Sequence, residues 1–344
     1  MTRVLAAMSG GVDSAAAAIL LRGQGFDVCG ATMLLHDAQT AELDDARRSA
    51  EALGIPFAVF DLREDFARLV TRPFARAYQA GLTPNPCVVC NRTLKFGLFL
   101  DRALALGCEK IATGHYARLG FDGTLGRWLV RKAADAGKDQ TYMLYSLSQA
   151  QLSHVLLPMG GLTKQAAREL AEAEGLPVAH KHDSQDICFI PDGGYLSYLT
   201  AHGVTPQTGE FRGLDGTDYG PHRGLEAYTL GQRRGLGVPA GSRIYVVGKQ
   251  GRDVLLGPES ALYSRRVQIR DVNFLPFDTL PGELAAEAKL RYTPKTARCL
   301  VRPVPGGAEL LFDEPQRAVT PGQAAVLYQG DLLLGGGTIT GAEP

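Results

Sequence analysis

The chain has 344 residues, 45% of them hydrophobic, and sets 36 Lys and Arg against 36 Asp and Glu. That length holds more than one buried core, and a formal charge of zero excludes overall basicity as the source of nucleic-acid binding, so such contacts must come from local patches. No apolar run approaches the roughly 18–20 residues that cross a bilayer, no signal-peptide pattern opens the chain, and six scattered cysteines do not form a secreted disulfide framework; the expectation is a soluble, cytoplasmic protein without a membrane partner.

In chain order, Arg3 to Met8 reads as a short buried strand. It leaves through Ser9-Gly10-Gly11-Val12-Asp13-Ser14 into an alanine-rich helix that stops at Gly23 or Gly25. Residues 27–35 read as a strand, about 44–54 as a helix, 56–62 as a strand and about 64–79 as a helix. A proline-bearing loop, GLTPNPCVVCN (81–91), leads into a helix over 93–107 and a strand over 110–118. Strands alternating with amphipathic helices predict an α/β fold with a parallel sheet covered on both faces. Ligands of such sheets sit at the carboxyl ends of the strands, where the Gly-rich turn, Met33 and Gly114-His115 fall. From about residue 196 short β-like runs rich in Gly, Pro and Arg take over, and 262–342 reads as a small β-barrel or sandwich. The expected units are 1–195, 196–261 and 262–344.

The first turn has the chemistry of an anion site. A glycine pair at the start of a helix lets backbone N–H groups approach a phosphate, the helix dipole favours negative charge, and Ser9 and Ser14 add hydroxyls. Asp13 suits Mg²⁺. The pattern is neither G-x-x-x-x-G-K-[ST], because no Lys follows the glycines, nor G-x-G-x-x-G. Ser-Gly-Gly-x-Asp-Ser after a first strand resembles the pyrophosphate loop (PP-loop) of ATP-pyrophosphatases, which release pyrophosphate from ATP and adenylate a substrate oxygen.

Three thiols bear on the step after activation. Cys87 and Cys90 lie in TPNPCVVCN and Cys188 in HDSQDICFI. Cys90 stands just before the helix expected from Thr93, where the dipole favours a thiolate. Cys29, Cys108 and Cys299 flank apolar segments and read as packing residues. One CxxC pair is half a zinc site without a second half, and His180-x-His182 reads as solvated loop.

The stretches AMSGGVDSA, PNPCVVCN, ATGHYAR, KDQTYML, DSQDICFI, HRGLEAYTLGQRRGLGV and KLRYTP run in order from residue 7 to about 294. Together they make the whole chain resemble the bacterial tRNA-specific 2-thiouridylase family. The resemblance implies an ATP-pyrophosphatase catalytic domain, a small central domain and a C-terminal barrel, the last two binding tRNA. It implies that Ala7, Met8, Ser9, Gly10, Gly11, Val12, Asp13, Ser14, Met33 and Gly114 hold ATP, with Mg²⁺. Cys90 would be the nucleophile and Cys188 the persulfide carrier. Asn85, Pro86 and Cys87 would lie against the target base, and His115, Lys138, Asp139, Gln140, Arg291, Tyr292 and Gln329 would touch tRNA. The substrate would be the wobble uridine, position 34, of the tRNAs for Lys, Glu and Gln, with sulfur delivered by a cysteine desulfurase or a relay protein. Sulfur from Cys188 would attack C2 of the adenylated uracil as AMP leaves, and Cys90 would release it by forming a disulfide with Cys188.

Many family members carry Asp where this chain has Cys87, so Cys87, Cys90 and Cys188 could instead hold a [4Fe–4S] cluster with one open iron. For RNA, residues 289–302 contain Lys289, Arg291, Lys295, Arg298 and Arg302 without an acidic residue, and Arg223, Arg233 and Arg234 form a second basic group. Two other classes compete: a small-molecule ATP-pyrophosphatase ligase, such as an argininosuccinate or NAD synthetase, and a non-enzymatic RNA-binding module.

Overall fold

The structure is a computed structural model that describes residues 1–181, 187–190, 194–239, 241–293 and 295–343. His182, the 183–186 part of the DSQDICFI stretch and Pro294 lie outside the described residues.

Strand β1 (Arg3–Ala7) feeds helix α1 (Val12–Gly23) through the glycine turn. Strand β2 (Asp27–Leu34), helix α2 (Thr40–Ala52) and strand β3 (Phe57–Asp61) follow. Helix α3 spans 63–79 with π-type winding at Ala67–Thr71. Helix α4 spans 86–105 with π-type winding at Asn91–Leu98. Strand β4 (Lys110–Ala112) lies beside β1, and a two-residue strand, Val155–Leu156, closes the far edge. All pairings are parallel, in the spatial order β3-β2-β1-β4 and then Val155–Leu156. The middle of β1 and most of β2 are buried, as a sheet covered on both faces requires. The four alanines of α1 let it lie close to the sheet, and all are buried.

Two expectations are corrected here. The helix expected from Thr93 begins at Pro86, because the Asn85 side chain accepts from the Cys87 and Val88 N–H groups and Pro86 fits the first turn. The single strand expected over 110–118 is two: β4 stays in the parallel sheet, while Ala117–Asp122 pairs antiparallel with Arg127–Lys132. The bend between them carries His115.

Residues 210–257 form a four-stranded sheet around Phe211, Val246, Val254 and Leu256. Beyond it, six antiparallel strands between Tyr263 and Glu343 close on themselves, because Tyr263–Phe274 pairs with both Gly307–Arg317 and Leu332–Glu343. This barrel is built against the α/β part. Leu332 pairs with Arg131, Asp331 accepts from Arg118 and Arg131 at 2.9 Å each, and Thr83 N–H donates to the Pro321 carbonyl at 3.0 Å. A buried ion pair, Lys289 to Asp139 at 3.6 Å with side chains 7% and 5% exposed, seals the junction. Among the described residues no helix is long and apolar enough to cross a membrane.

Candidate active site

The glycine turn lies at the carboxyl end of β1. Gly10 has φ +71°, and a Cβ there would sit 2.2 Å from the Glu42 carbonyl oxygen, so the position admits only glycine. Gly11 caps α1 without any side-chain hydrogen bond, which leaves the first-turn N–H groups to a ligand. Ser14 Oγ donates to the Gly11 carbonyl at 2.9 Å and accepts from Ser9 N–H at 3.1 Å, fixing the loop's curvature. Met8 and Val12 on either side of it are buried, and Ala7 is half-buried. Gly114, just past β4, is a second close approach: its Cβ would be 2.8 Å from the Asp13 carbonyl carbon and from Ser14 N. Met33 is buried at the end of β2, its carbonyl accepting from Gln39 Nε2 at 3.1 Å. The turn, Met33 and Gly114 thus gather at one end of the sheet.

Two lysines at this turn escaped the sequence reading. Lys164, in the first turn of a helix at Lys164–Ala173, donates to both Asp13 oxygens at 2.8 Å, and Tyr116 Oη donates to one of them at 2.7 Å. A Mg²⁺ ion at Asp13 would have to displace that ammonium, so the carboxylate as placed does not present a metal site. Lys181 donates to the Gly10 carbonyl at 3.2 Å and to Asp45 at 2.7 Å. That hydrogen bond, with help from Arg48, holds the Asp45 carboxyl below the usual carboxylate range. Lys164 follows Asp13 by 151 residues, a separation over which no local pattern could have paired them.

The thiols converge from two elements. Cys87 and Cys90 are three residues apart on one face of the first turns of α4. Cys188 is on a turn closed by Ile190 N–H to the Ile187 carbonyl, and its neighbour Phe189 packs edge-on against Phe66 and Phe74 of α3 at 5.4 and 5.3 Å. Cys90 is buried, Cys87 half-buried and Cys188 exposed. Burial pushes the Cys90 thiol up to about 12; the charges of Cys188 and Cys87 add to the rise and Lys95 opposes it. Cys87 is also raised, first by the protein packed around it, with Lys95 opposing, and Cys188 is raised in the same direction. The expected dipole-favoured thiolate at Cys90 is therefore corrected: Cys90 lies inside the helix, and desolvation outweighs the dipole. The Glu42 carbonyl packs directly against Gly10 of the turn. Among the described residues no group of three or more Cys, His, Asp or Glu side chains is arranged to hold a metal ion. Cys29, Cys108 and Cys299 are buried packing residues.

The remaining expected contacts divide. Asn85 and Pro86 start the CxxC helix, beside the thiols. His115 accepts or donates through Nδ1 to Thr113 Oγ1 at 2.8 Å and packs its ring on Phe96 at 5.6 Å; burial, then Lys95, pushes it down to about 3, so it is neutral. Gln140 accepts from Tyr116 N–H at 3.0 Å and Lys138 is half-buried. The Asp139 carboxylate is buried, accepting from Ala133 N–H and Thr141 Oγ1 and paired with Lys289. Arg291 spends its guanidinium on the Ala318 carbonyl and Thr320 Oγ1. Tyr292 is 50% exposed, with its hydroxyl on the Asp139 carbonyl, and Gln329 is exposed at a strand end. The basic stripe of 289–302 is thinner than its sequence suggested, since Lys289 pairs with Asp139 and Arg302 with Glu283 at 3.0 Å. Arg223, Arg233 and Arg234 stay exposed, and Arg233 lines an open cavity of about 660 Å³ with Arg243.

A parallel α/β sheet with a PP-loop-like first turn at the carboxyl end of β1 and a six-stranded barrel docked on it defines an α/β nucleotide-binding class with appended β domains. Residues 2–192 match a family model described as the tRNA methyl transferase HUP domain, 197–253 its PRC-barrel domain and 264–339 an aminomethyltransferase beta-barrel domain. The chain is 45% identical, over 98% of its length and 97% of the relative's, to the tRNA-specific 2-thiouridylase MnmA of Pelotomaculum thermopropionicum. It is 45% identical to that of Moorella thermoacetica over 97% of this chain and 98% of the relative, and 42% identical to that of Caldicellulosiruptor saccharolyticus over 98% of each. The chain belongs to the tRNA-specific 2-thiouridylase family.

Proposed function

We propose that this protein replaces the C2 oxygen of a tRNA uridine with sulfur in an ATP-dependent reaction, the wobble position of the tRNAs for Lys, Glu and Gln being the target. The glycine turn would bind the pyrophosphate part of ATP, with Met33 and Gly114 against the adenosine, and the uracil O2 would attack the α-phosphorus to give an adenylate and pyrophosphate. The terminal sulfur of a Cys188 persulfide, loaded by a cysteine desulfurase or relay protein, would then attack C2 as AMP departs. Cys90 would attack the Cys188 sulfur, breaking its bond to the transferred atom and leaving a Cys90–Cys188 disulfide that a two-electron reductant resets.

The observation that carries this reading is a glycine-only turn at the head of α1 together with the Cys87–Cys90 helix, in a chain 45% identical over 98% of its length to a tRNA-specific 2-thiouridylase. A small-molecule ligase needs no such thiols, and methyl transfer, which the family-model descriptions mention, gives them no role. Lys164 and Lys181 supply positive charge beside the turn, and a Mg²⁺ ion would arrive with the nucleotide.

The test is thiolation of a tRNA transcript with ATP, Mg²⁺ and a persulfide donor, read as the mass of the modified nucleoside. Wild type is expected to make 2-thiouridine, with Cys90→Ser and Cys188→Ser each inactive and iron without effect. AMP formation that ignores tRNA would point to the ligase class, and activity that requires iron would point to a cluster.

A further inference from the structure

We propose that Gln323 of the barrel is a positioning residue for the Cys87–Cys90 helix, acting through the main chain of Thr83. The inference rests on the sulfur-transfer reading above and goes beyond it, because it gives the barrel a part in placing the thiols. Thr83 lies three residues before Pro86, where α4 begins. The barrel holds both of its main-chain polar groups: its N–H donates to the Pro321 carbonyl at 3.0 Å, and its carbonyl accepts from Gln323 Nε2 at 2.9 Å. Between these two, Gly322 (φ +92°) comes so close that a Cβ there would sit 3.0 Å from Thr83 N. The turn is tied into the barrel in its own right. Gly322 N–H donates to the Ile339 carbonyl, and Ile339 N–H to the Gln323 carbonyl, at 2.8 Å each.

The short stretch from Thr83 to the helix has little freedom to absorb a shift. Pro84 and Pro86 have φ fixed near −65°, and Thr83 and Asn85, each preceding a proline, are biased out of the helical region. Asn85 is accordingly extended, at φ −106° and ψ 97°. Its side chain then accepts from Cys87 N–H at 3.1 Å and Val88 N–H at 3.3 Å, which fixes the turn that bears both thiols. A displacement at Thr83 therefore reaches Cys87 and Cys90 instead of being lost in a slack loop. The residues just upstream are held by the central domain: Lys249 Nζ donates to the Gly81 carbonyl at 3.2 Å and Gln207 Nε2 to the Gln79 carbonyl at 3.1 Å. Sulfur transfer depends on such placement, since a misplacement of about 1 Å costs about 100-fold in rate.

The experiment measures amide hydrogen exchange by peptide mass in the full chain, together with thiolation kinetics. Gln323→Leu removes the amide, and Gln323→Glu keeps its shape but offers no donor at neutral pH. Losing one ordinary hydrogen bond should speed exchange in the peptide covering 85–91 about fivefold in both variants, while peptides of 324–343 keep the wild-type rate. With saturating tRNA and a persulfide donor, both should lose about tenfold in kcat at an unchanged KM for ATP. Gln316→Leu is the control. It also breaks an amide–carbonyl bond, from Nε2 to the Glu314 carbonyl at 2.7 Å, but one confined to the barrel, and should change neither reading. If Gln323→Leu loosens the barrel, Gln323→Glu decides. Wild-type exchange over 85–91 in Gln323→Glu overturns the proposal, as does equal acceleration over 324–343, which would assign the turn to the barrel alone. Faster exchange over 85–91 with wild-type kcat also overturns it. The exchange measurement uses neither tRNA nor ATP, so a wild-type protein that makes no 2-thiouridine would sink the functional reading separately.

Discussion

Gly114→Ala is the sharpest probe of the nucleotide end of the site. The new methyl would lie 2.8 Å from the Asp13 carbonyl carbon and from Ser14 N, and 3.0 Å from Asp13 Cβ. Ordinary contact begins at 3.4 Å, so β4 and the start of α1 must part by about 0.6 Å, and the neighbours are main-chain atoms that cannot swing aside. Overpacking of this kind costs about 1–3 kcal/mol. Here the atoms that must yield are the loop itself, whose curvature is kept by the Ser9–Ser14 and Ser14–Gly11 hydrogen bonds. If the cost appears as weakened ATP binding, it corresponds to roughly a 5- to 150-fold rise in the KM for ATP. The assay is pyrophosphate release at saturating tRNA with ATP varied, alongside thermal melting. Gly120→Ala is the control, since a Cβ there meets nothing within 4 Å. A Gly114→Ala protein with wild-type KM for ATP and wild-type Tm would refute the claim that β4 and the loop are in register for nucleotide.

Other consequences arise from the same geometry. Cys90 is raised from 9.0 to about 12 in the folded chain, so the protonated thiol is favoured by folding; that stability is complete below pH 9 and is lost as pH climbs toward 12, which denaturant titrations at pH 8 and 10.5 would detect. His115, held at about 3, adds no inflection between pH 5 and 8, and its imidazole NMR shifts should stay flat across that range. Lys289→Met leaves the Asp139 carboxylate buried without its cation and should cost about 3–5 kcal/mol in chemical denaturation, with much of it recovered in the Lys289→Met, Asp139→Asn double variant; additive losses would mean that the pair is not coupled. Tyr292→Ala should weaken tRNA binding by about 1–3 kcal/mol while Tyr292→Phe keeps most of it, as a stacking surface requires; equal losses would assign the effect to the hydroxyl on the Asp139 carbonyl instead.

The parallel sheet, the strand–glycine turn–helix unit and the closing β-rich third were legible because each depends on local order: apolar runs, an alanine helix and glycines whose φ only they tolerate. The start of α4 was misread because the prolines of TPNPC look like loop, whereas Asn85 and Pro86 together make a helix start. The break after β4 was hidden by an apolar stretch that serves two sheets in turn.

What the sequence determined alone is the chemistry on offer, a glycine cradle and two separated thiol motifs, since residue type and short spacing suffice to state it. Only the tertiary structure decided how charge is distributed around that chemistry. It put Lys164 on Asp13 and Lys289 on Asp139, and it buried Cys90 so that desolvation overrides the helix dipole. The cause is physical: pairing and dielectric depend on distances between residues remote in the chain, which packing sets and no local pattern encodes.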